Sequence, residues 1–128
     1  MNFVLCSNFD NADEILQYAM EYFEKCHYYP KTEIFREKQD FLKEIEKKSN
    51  DIILIAWAKA RGMEIVRQAA DRNKNAKIIW ISDDEDFVPF ARDNNICYFS
   101  ARYDRQIIEK ALEACGVLQS EHYYCGNI

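Results

Sequence analysis

The chain has 128 residues, enough for one domain with a proper core and too few for two ordinary ones. A net charge of -5, with 48% hydrophobic and 30% charged residues, describes a folded chain without the basic stripe that direct nucleic-acid binding needs. No apolar run approaches a bilayer span, no basic-then-apolar leader opens the chain, and the five cysteines form no CxxC, so the expectation is a cytoplasmic protein with free thiols and no membrane contact.

Asn2-Phe3-Val4-Leu5-Cys6 predicts a short first strand. Ser7, Asn8, Asp10 and Asn11 mark a loop, and Asn11 followed by Glu14 fits a capping arrangement for the helix behind it. In that helix Ala12, Ile15, Leu16, Ala19, Phe23 and Cys26 recur at three- and four-residue steps and bury one stripe. Tyr28-Tyr29-Pro30 is expected to end it. Thr32 to Arg36 reads as a strand at a sheet edge, because charge surrounds it. Asp40 to Lys48 is a polar helix anchored by Phe41, Leu42 and Ile45, broken by Ser49 and Asn50.

The run Asp51-Ile52-Ile53-Leu54-Ile55-Ala56-Trp57 is solid, apolar and β-branched, the signature of a strand buried on both faces of a parallel sheet. Ala58 to Gly62 leads into a helix through Arg72, with Met63, Val66, Ala69 and Ala70 facing inward. Lys77 to Ser82 is a second buried strand. It runs into the acidic stretch Asp83 to Asp86 and a helix with Phe87, Val88, Pro89 and Phe90 near its start. Ile96 to Phe99 is the last strand. Asp104 caps a final helix carrying Ile107, Ile108, Ala111, Leu112 and Cys115, and Gly116 is its natural C-terminal stop. Strand and helix thus alternate five times. That order predicts an α/β fold with a five-stranded parallel sheet, strand order 2-1-3-4-5, in a flavodoxin-like three-layer sandwich. The domain is expected over residues 1–116, with 117–128 as a tail or linker.

These phrases, in this order, resemble the receiver domain of response regulators over about residues 2 to 115. Phe3-Val4-Leu5-Cys6, Asp51-Ile52-Ile53-Leu54-Ile55, Ile78-Ile79-Trp80-Ile81-Ser82 with Asp84-Glu85-Asp86-Phe87, and Cys97-Tyr98-Phe99 are most similar to receivers found ahead of LytTR-type DNA-binding domains. In that family the first strand ends in an acidic pair that holds magnesium, the third in the aspartate that takes a phosphoryl group, and the fifth is followed by a lysine and a cis-proline. The resemblance places Ser7 and Asn8 at the acidic pair, Ala56 at the acceptor, and Ala101 and Arg102 at the lysine and proline. The loop from Trp57 to Gly62 is about two residues shorter than the family's. Ser82 and Tyr98 match the hydroxyl and aromatic switch positions.

The resemblance therefore implies a degenerate receiver. A methyl group cannot accept phosphate, and serine and asparagine offer only neutral oxygens to magnesium. The expectation is a phosphorylation-independent interaction or dimerisation module, not an enzyme, with no cofactor and no metal. It would serve bacterial signalling or transcription control, meeting a protein partner or a second copy through its fourth and fifth helices. Phe87, Phe90 and Tyr103 lie on or beside those helices and are read either as that interface or as core. The alternative function is a flavodoxin-like binder of a flavin or nucleotide, although Ser7-Asn8-Phe9-Asp10 has no glycine to present amides to phosphate.

Other chemistry has a plainer reading beside it. Asp83 to Asp86 could be a displaced metal site or acidic caps at a helix N-terminus, and Asp10 could be a magnesium ligand or a cap. Cys26-His27 with His122 and Cys125 is a weak zinc set. Cys6 ends a strand with no adjoining base to make it a nucleophile. Ser82 and Tyr98 are either switch remnants or simple packing.

Overall fold

The computed structural model describes residues 1–47 and 50–118. Its strands are β1 (Asn2–Ser7), β2 (Lys31–Phe35), β3 (Ile52–Ala56), β4 (Lys77–Ile81) and β5 (Tyr98–Ser100). They form one parallel sheet in the order β2-β1-β3-β4-β5, as the alternation predicts. The helices are α1 (Ala12–Lys25), α2 (Lys38–Lys47), α3 (Lys59–Arg72), α4 (Val88–Asp93) and α5 (Arg105–Ala114), with a 3-10 turn at Glu85–Phe87 ahead of α4. Ser49, expected to help break the second helix, lies outside the described residues.

Alternate residues of each strand face opposite sides of the sheet, so the core divides in two. Phe3, Leu5, Leu54 and Ile79 meet α1 through Ile15, Ala19 and Phe23, and α5 through Ile108, Ala111 and Leu112. Val4, Cys6, Ile53, Ile55 and Trp80 meet α2 through Phe41 and Ile45, and α3 through Ile65, Val66 and Ala69. All of β3 is buried, which is why its sequence is solid rather than alternating. β2, at the edge, is only partly buried and carries Lys31 and Glu33.

Trp80 fills the second face. Its ring meets Phe99 at 5.0 Å, Phe87 at 5.4 Å and Phe90 at 5.8 Å between centroids. Its indole N–H donates to the Trp57 carbonyl at 3.4 Å, so its polar edge is satisfied inside the core.

Three helices end in the same way. The α1 terminus places His27 at a positive φ of 62°, with the Tyr28 amide donating to the Phe23 carbonyl at 2.9 Å. In α4 the left-handed residue is Asn95, and Ile96 donates to Ala91 at 3.1 Å. In α5 it is Gly116, and Val117 donates to Leu112 at 3.0 Å. These are Schellman turns, in which a left-handed residue lets the chain reverse onto the orphan carbonyls. Gly116 is the expected stop. The α1 stop comes earlier than Tyr28-Tyr29-Pro30 because His27 accepts the left-handed conformation.

Other boundaries also differ from the sequence reading. Asn11 makes no side-chain cap, and Glu14 accepts from the Tyr18 hydroxyl at 3.0 Å instead of folding back. Helix α3 begins at Lys59 and contains Gly62 rather than following it, and Ile65 is buried where Met63 and Ala70 are only partly so. The last strand covers Tyr98 to Ser100, because pairing to β4 starts at Ile79↔Tyr98. Asp104 caps α5 as expected, its Oδ1 accepting from the Ile107 amide at 2.8 Å.

Candidate functional site

A doubly wound sheet of this order places its site outside the C-terminal strand ends, at the switch between β1 and β3. Here Ser7 pairs in register with Ala56, and Ala56 with Ile81. All three are fully buried. The Ser7 hydroxyl is turned onto its own loop, where Oγ accepts from the Phe9 amide at 3.0 Å. The exposed Asn8 uses its backbone N–H on the Ala56 carbonyl at 3.3 Å. The two strands are thus stitched together at the point where an acceptor side chain would need to open to solvent.

The connection after β3 is only Trp57 and Ala58 before α3 begins. This short path draws α3 close: a Cβ on Gly62 would sit 2.3 Å from the Trp57 carbonyl oxygen. The Trp57 amide continues the ladder by donating to Ile81 at 3.1 Å. Only glycine allows the backbone to approach at such a distance.

The acidic run is used for capping. Asp83 accepts from the Lys59 amide at 3.1 Å, so it covers the N-terminus of α3 from a neighbouring loop. Its Oδ1 also lies 3.4 Å from the Ser82 hydroxyl. Asp84 accepts from the Asp86 amide at 2.9 Å and starts the 3-10 turn. Carboxylates at these ends satisfy free N–H groups and suit the helix dipole. Among the described residues no three of His, Cys, Asp and Glu converge as metal ligands.

Asp10 is exposed. It lines a shallow cleft of about 390 Å³ with Asn8, Phe9, Asn11, Ala58 and Tyr103. Phe9 stacks on Tyr103 with centroids 6.3 Å apart and planes 21° from parallel. The β1–α1 loop and the β5–α5 loop are therefore joined by an aromatic pair over the mouth. Phe9 was not legible as a site residue. The only sequence signal was an aromatic in each of two loops that the fold brings to one edge.

The remaining candidates disperse. Tyr98 pairs with Ile79, whereas Ser82 follows the end of β4 three residues further on, about 10 Å along the strand direction. The structure does not bring Ser82 and Tyr98 together. Tyr98 packs with the α1 and α5 side of the core. Ala101 is half-buried, and the exposed Arg102 pairs with Asp104 at 3.3 Å. Phe87 and Phe90 are half-buried against Trp80, and Tyr103 against Phe9, so each has a packing role inside the domain. Cys26 is buried while His27 turns outward at the helix end, and His122 and Cys125 lie outside the described residues. Cys6 is fully buried, and desolvation pushes its thiol up to about 12, which makes it inert as a nucleophile.

No family model matches this chain, and no curated protein matches it in sequence. Solved structures do match in fold. The signal receiver domain of an HD domain-containing protein from Pseudomonas fluorescens Pf-5 is 14% identical with a TM-score of 0.69, covering 99% of this chain and 93% of that one. A CheY-like response regulator receiver domain protein from Methanospirillum hungatei is 19% identical with a TM-score of 0.67, covering 91% and 94%. The chemotaxis protein CheY4 of Vibrio cholerae is 13% identical with a TM-score of 0.67, covering 92% and 99%. The fold is that of CheY-like receiver domains.

Proposed function

We propose that this chain is a receiver-type signalling module that works without accepting a phosphoryl group. The observation that carries this reading is the mouth of the sheet. Ser7 and Ala56 stand paired and buried at the switch point, and the nearby carboxylate of Asp83 caps the amide of Lys59. Phosphoryl transfer to a protein carboxylate needs an acceptor oxygen, a divalent cation and a positive group near the transferring oxygens. At the paired strand ends Ser7 and Ala56 supply a hydroxyl and a methyl group, and the Asp83 carboxylate is engaged as a cap.

A module of this kind signals through contacts. The reading assigns it to protein interaction or dimerisation in bacterial signal transduction or transcription regulation, in the cytoplasm, without catalysis and without a cofactor. Association with an output domain such as a LytTR-type DNA binder belongs to the same proposal. The docking face would be α4 with α5. Val88 is exposed there at the start of α4, flanked by the half-exposed rings of Phe87 and Phe90. Sedimentation tests this reading. The expected result is a concentration-dependent dimer that acetyl phosphate with magnesium leaves unchanged and that Val88→Asp weakens at least tenfold. A chain that dimerises only with acetyl phosphate would overturn it, and one that stays monomeric at every concentration would overturn its dimerisation form and leave a different protein as the partner.

The flavin or nucleotide alternative draws on the cleft beside Phe9 and Tyr103. Asp10, Asp13 and Glu14 cluster at that end of α1, and negative charge there opposes a phosphate. A thermal shift with flavin mononucleotide separates the two readings.

A further inference from the structure

Away from the mouth, two thiols face each other. Cys97 stands just before β5, and Cys115 is the residue that closes α5. Their sulfurs are 3.5 Å apart, with the Cys115 S–H donating to the Cys97 sulfur and the Cys97 S–H donating to the Ala114 carbonyl at 3.3 Å. A disulfide needs about 2.05 Å between sulfurs, so a closure of about 1.5 Å by side-chain rotation would join them. The backbone on both sides is fixed. The Cys97 amide donates to Ile78 at 2.8 Å, and the Cys115 amide donates to Leu112 at 3.0 Å.

We propose that Cys97 and Cys115 form a reversible dithiol–disulfide pair whose oxidant is a hydroperoxide. Paired thiols are often plain core fillers, and the surroundings of Cys97 argue otherwise. Cys97 is only half-buried and lines a polar cavity of about 560 Å³ with Lys74, Asn75, Lys77 and Asn94. Water and a small peroxide can reach its sulfur there. Cys115 is buried, and desolvation raises its thiol, the hydrogen bond to Cys97 adds to that, and the Lys77 ammonium pulls the other way. The roles divide by access and contact, not by acidity. The half-buried Cys97 meets the peroxide. The buried Cys115, a weak nucleophile at large, resolves only because its sulfur already lies 3.5 Å from that of Cys97 and its proton passes to the departing hydroxide.

In the first step the Cys97 thiolate attacks the outer peroxide oxygen. An S–O bond forms, the O–O bond breaks, and the alcohol or water leaves after taking up a proton. In the second step the Cys115 sulfur displaces hydroxide from the Cys97 sulfenic acid. The S–S bond forms, and the hydroxide leaves as water with the Cys115 proton. Two thiols lose two electrons and two protons, and the peroxide gains them. A small dithiol restores both thiols by exchange.

The bond would tie the start of the last strand to the end of the last helix. That end is already held by the Tyr22 hydroxyl, which donates to the Val117 carbonyl at 3.0 Å. Oxidation would add a covalent tie between β5 and the end of α5. The inference stands apart from the receiver reading, because it needs only the two sulfurs and their access.

The test treats the reduced full-length chain with hydrogen peroxide, quenches in acid, and maps the thiols by mass. The expected product has lost two hydrogen atoms, carries a single Cys97–Cys115 crosslinked peptide, and returns to the dithiol with a reducing agent. Cys125→Ser should leave the crosslink intact, Cys97→Ser should abolish it, and the chain unfolded in urea should form that pairing at least tenfold more slowly. Unreacted thiols, sulfinic acid on Cys97 without a crosslink, or a mixture of pairings from the folded chain would overturn the proposal. Should Cys97→Ser fail to fold, the mapped peptide of the parent chain decides alone.

Discussion

Gly62 lies directly against the backbone of Trp57, so close that a methyl group at 62 would stand 2.3 Å from the Trp57 carbonyl oxygen. The same oxygen accepts the Trp80 indole N–H at 3.4 Å. One carbonyl therefore sets the approach of α3 to the sheet and satisfies the largest side chain in the core. The two-residue connection from β3 to α3 depends on this contact, and that connection closes the mouth of the sheet over Ala56.

Gly62→Ala tests the contact. Alanine raises helix propensity by about 1 kcal/mol. The clash falls on backbone rather than on a flexible side-chain end, and overpacking of that kind costs about 1 to 3 kcal/mol. The clash should win, and urea unfolding should show a net loss of up to about 2 kcal/mol. A more stable variant would mean that α3 can withdraw from Trp57.

Asp83 separates a cap from a metal ligand. Asp83→Ala removes the acceptor for the Lys59 amide and should cost about 1 kcal/mol, whereas Asp83→Asn, which keeps an oxygen there, should lose a few tenths. Magnesium should not shift the melting temperature of either variant or of the parent. A magnesium-dependent shift that Asp83→Ala abolishes would restore the metal reading.

Ala56→Asp returns a carboxylate to the acceptor position without returning its surroundings. Ala56 is fully buried, so the new charge has no solvent and no cation. The variant should be destabilised by about 3 kcal/mol or more at neutral pH. Burial raises the folded carboxyl above its unfolded value, so the penalty applies above about pH 4 and shrinks as pH falls towards it. Unfolding curves at pH 7 and pH 4.5 measure the difference. A variant equally stable at both would show that the site opens to water.

At the alkaline end the buried thiol of Cys6 is one contributor. Its folded value is about 12 against 9.0 in the unfolded chain, so its stabilisation is complete below pH 9 and is lost as pH rises towards 12. Within that window each pH unit costs about 1.4 kcal/mol for such a group. The buried Tyr22 and Cys115 are raised in the same direction by desolvation and add to the decline. Cys6→Ala should flatten part of the slope between pH 9 and 11. An unchanged slope would assign the decline to the other two.

Much of the fold could be read in the chain because its strands are buried on both faces. Ile52 to Ile55 and Ile78 to Ile81 are solid apolar runs that no amphipathic helix would tolerate, and Asp104 and Gly116 mark the ends of α5 with residues suited to one purpose. What stayed hidden depends on tertiary contact. His27 takes a left-handed turn that a sequence assigns by default to glycine, and the Glu14 side chain goes to Tyr18 rather than to a capping box. Lys59 takes a positive φ of 63° at the head of α3 and gives its amide to Asp83, an arrangement specified by residues 24 apart. The aromatic pair of Phe9 and Tyr103 joins loops at opposite ends of the chain, so no local pattern carries it. The resemblance to receiver domains put Ser7 and Ala56 at the ends of the first and third strands, and the register pairs them there.

The most direct measurement is titration of the full-length chain with beryllofluoride and magnesium, followed by fluorine NMR, alongside intact mass after incubation with acetyl phosphate. A mouth with Ser7 and Ala56 at its strand ends and with Asp83 engaged as a cap predicts no bound beryllofluoride resonance and no added phosphoryl mass at any magnesium concentration. A stoichiometric beryllofluoride complex, or an acid-stable, base-labile phosphoryl adduct on a single aspartate, would contradict the account.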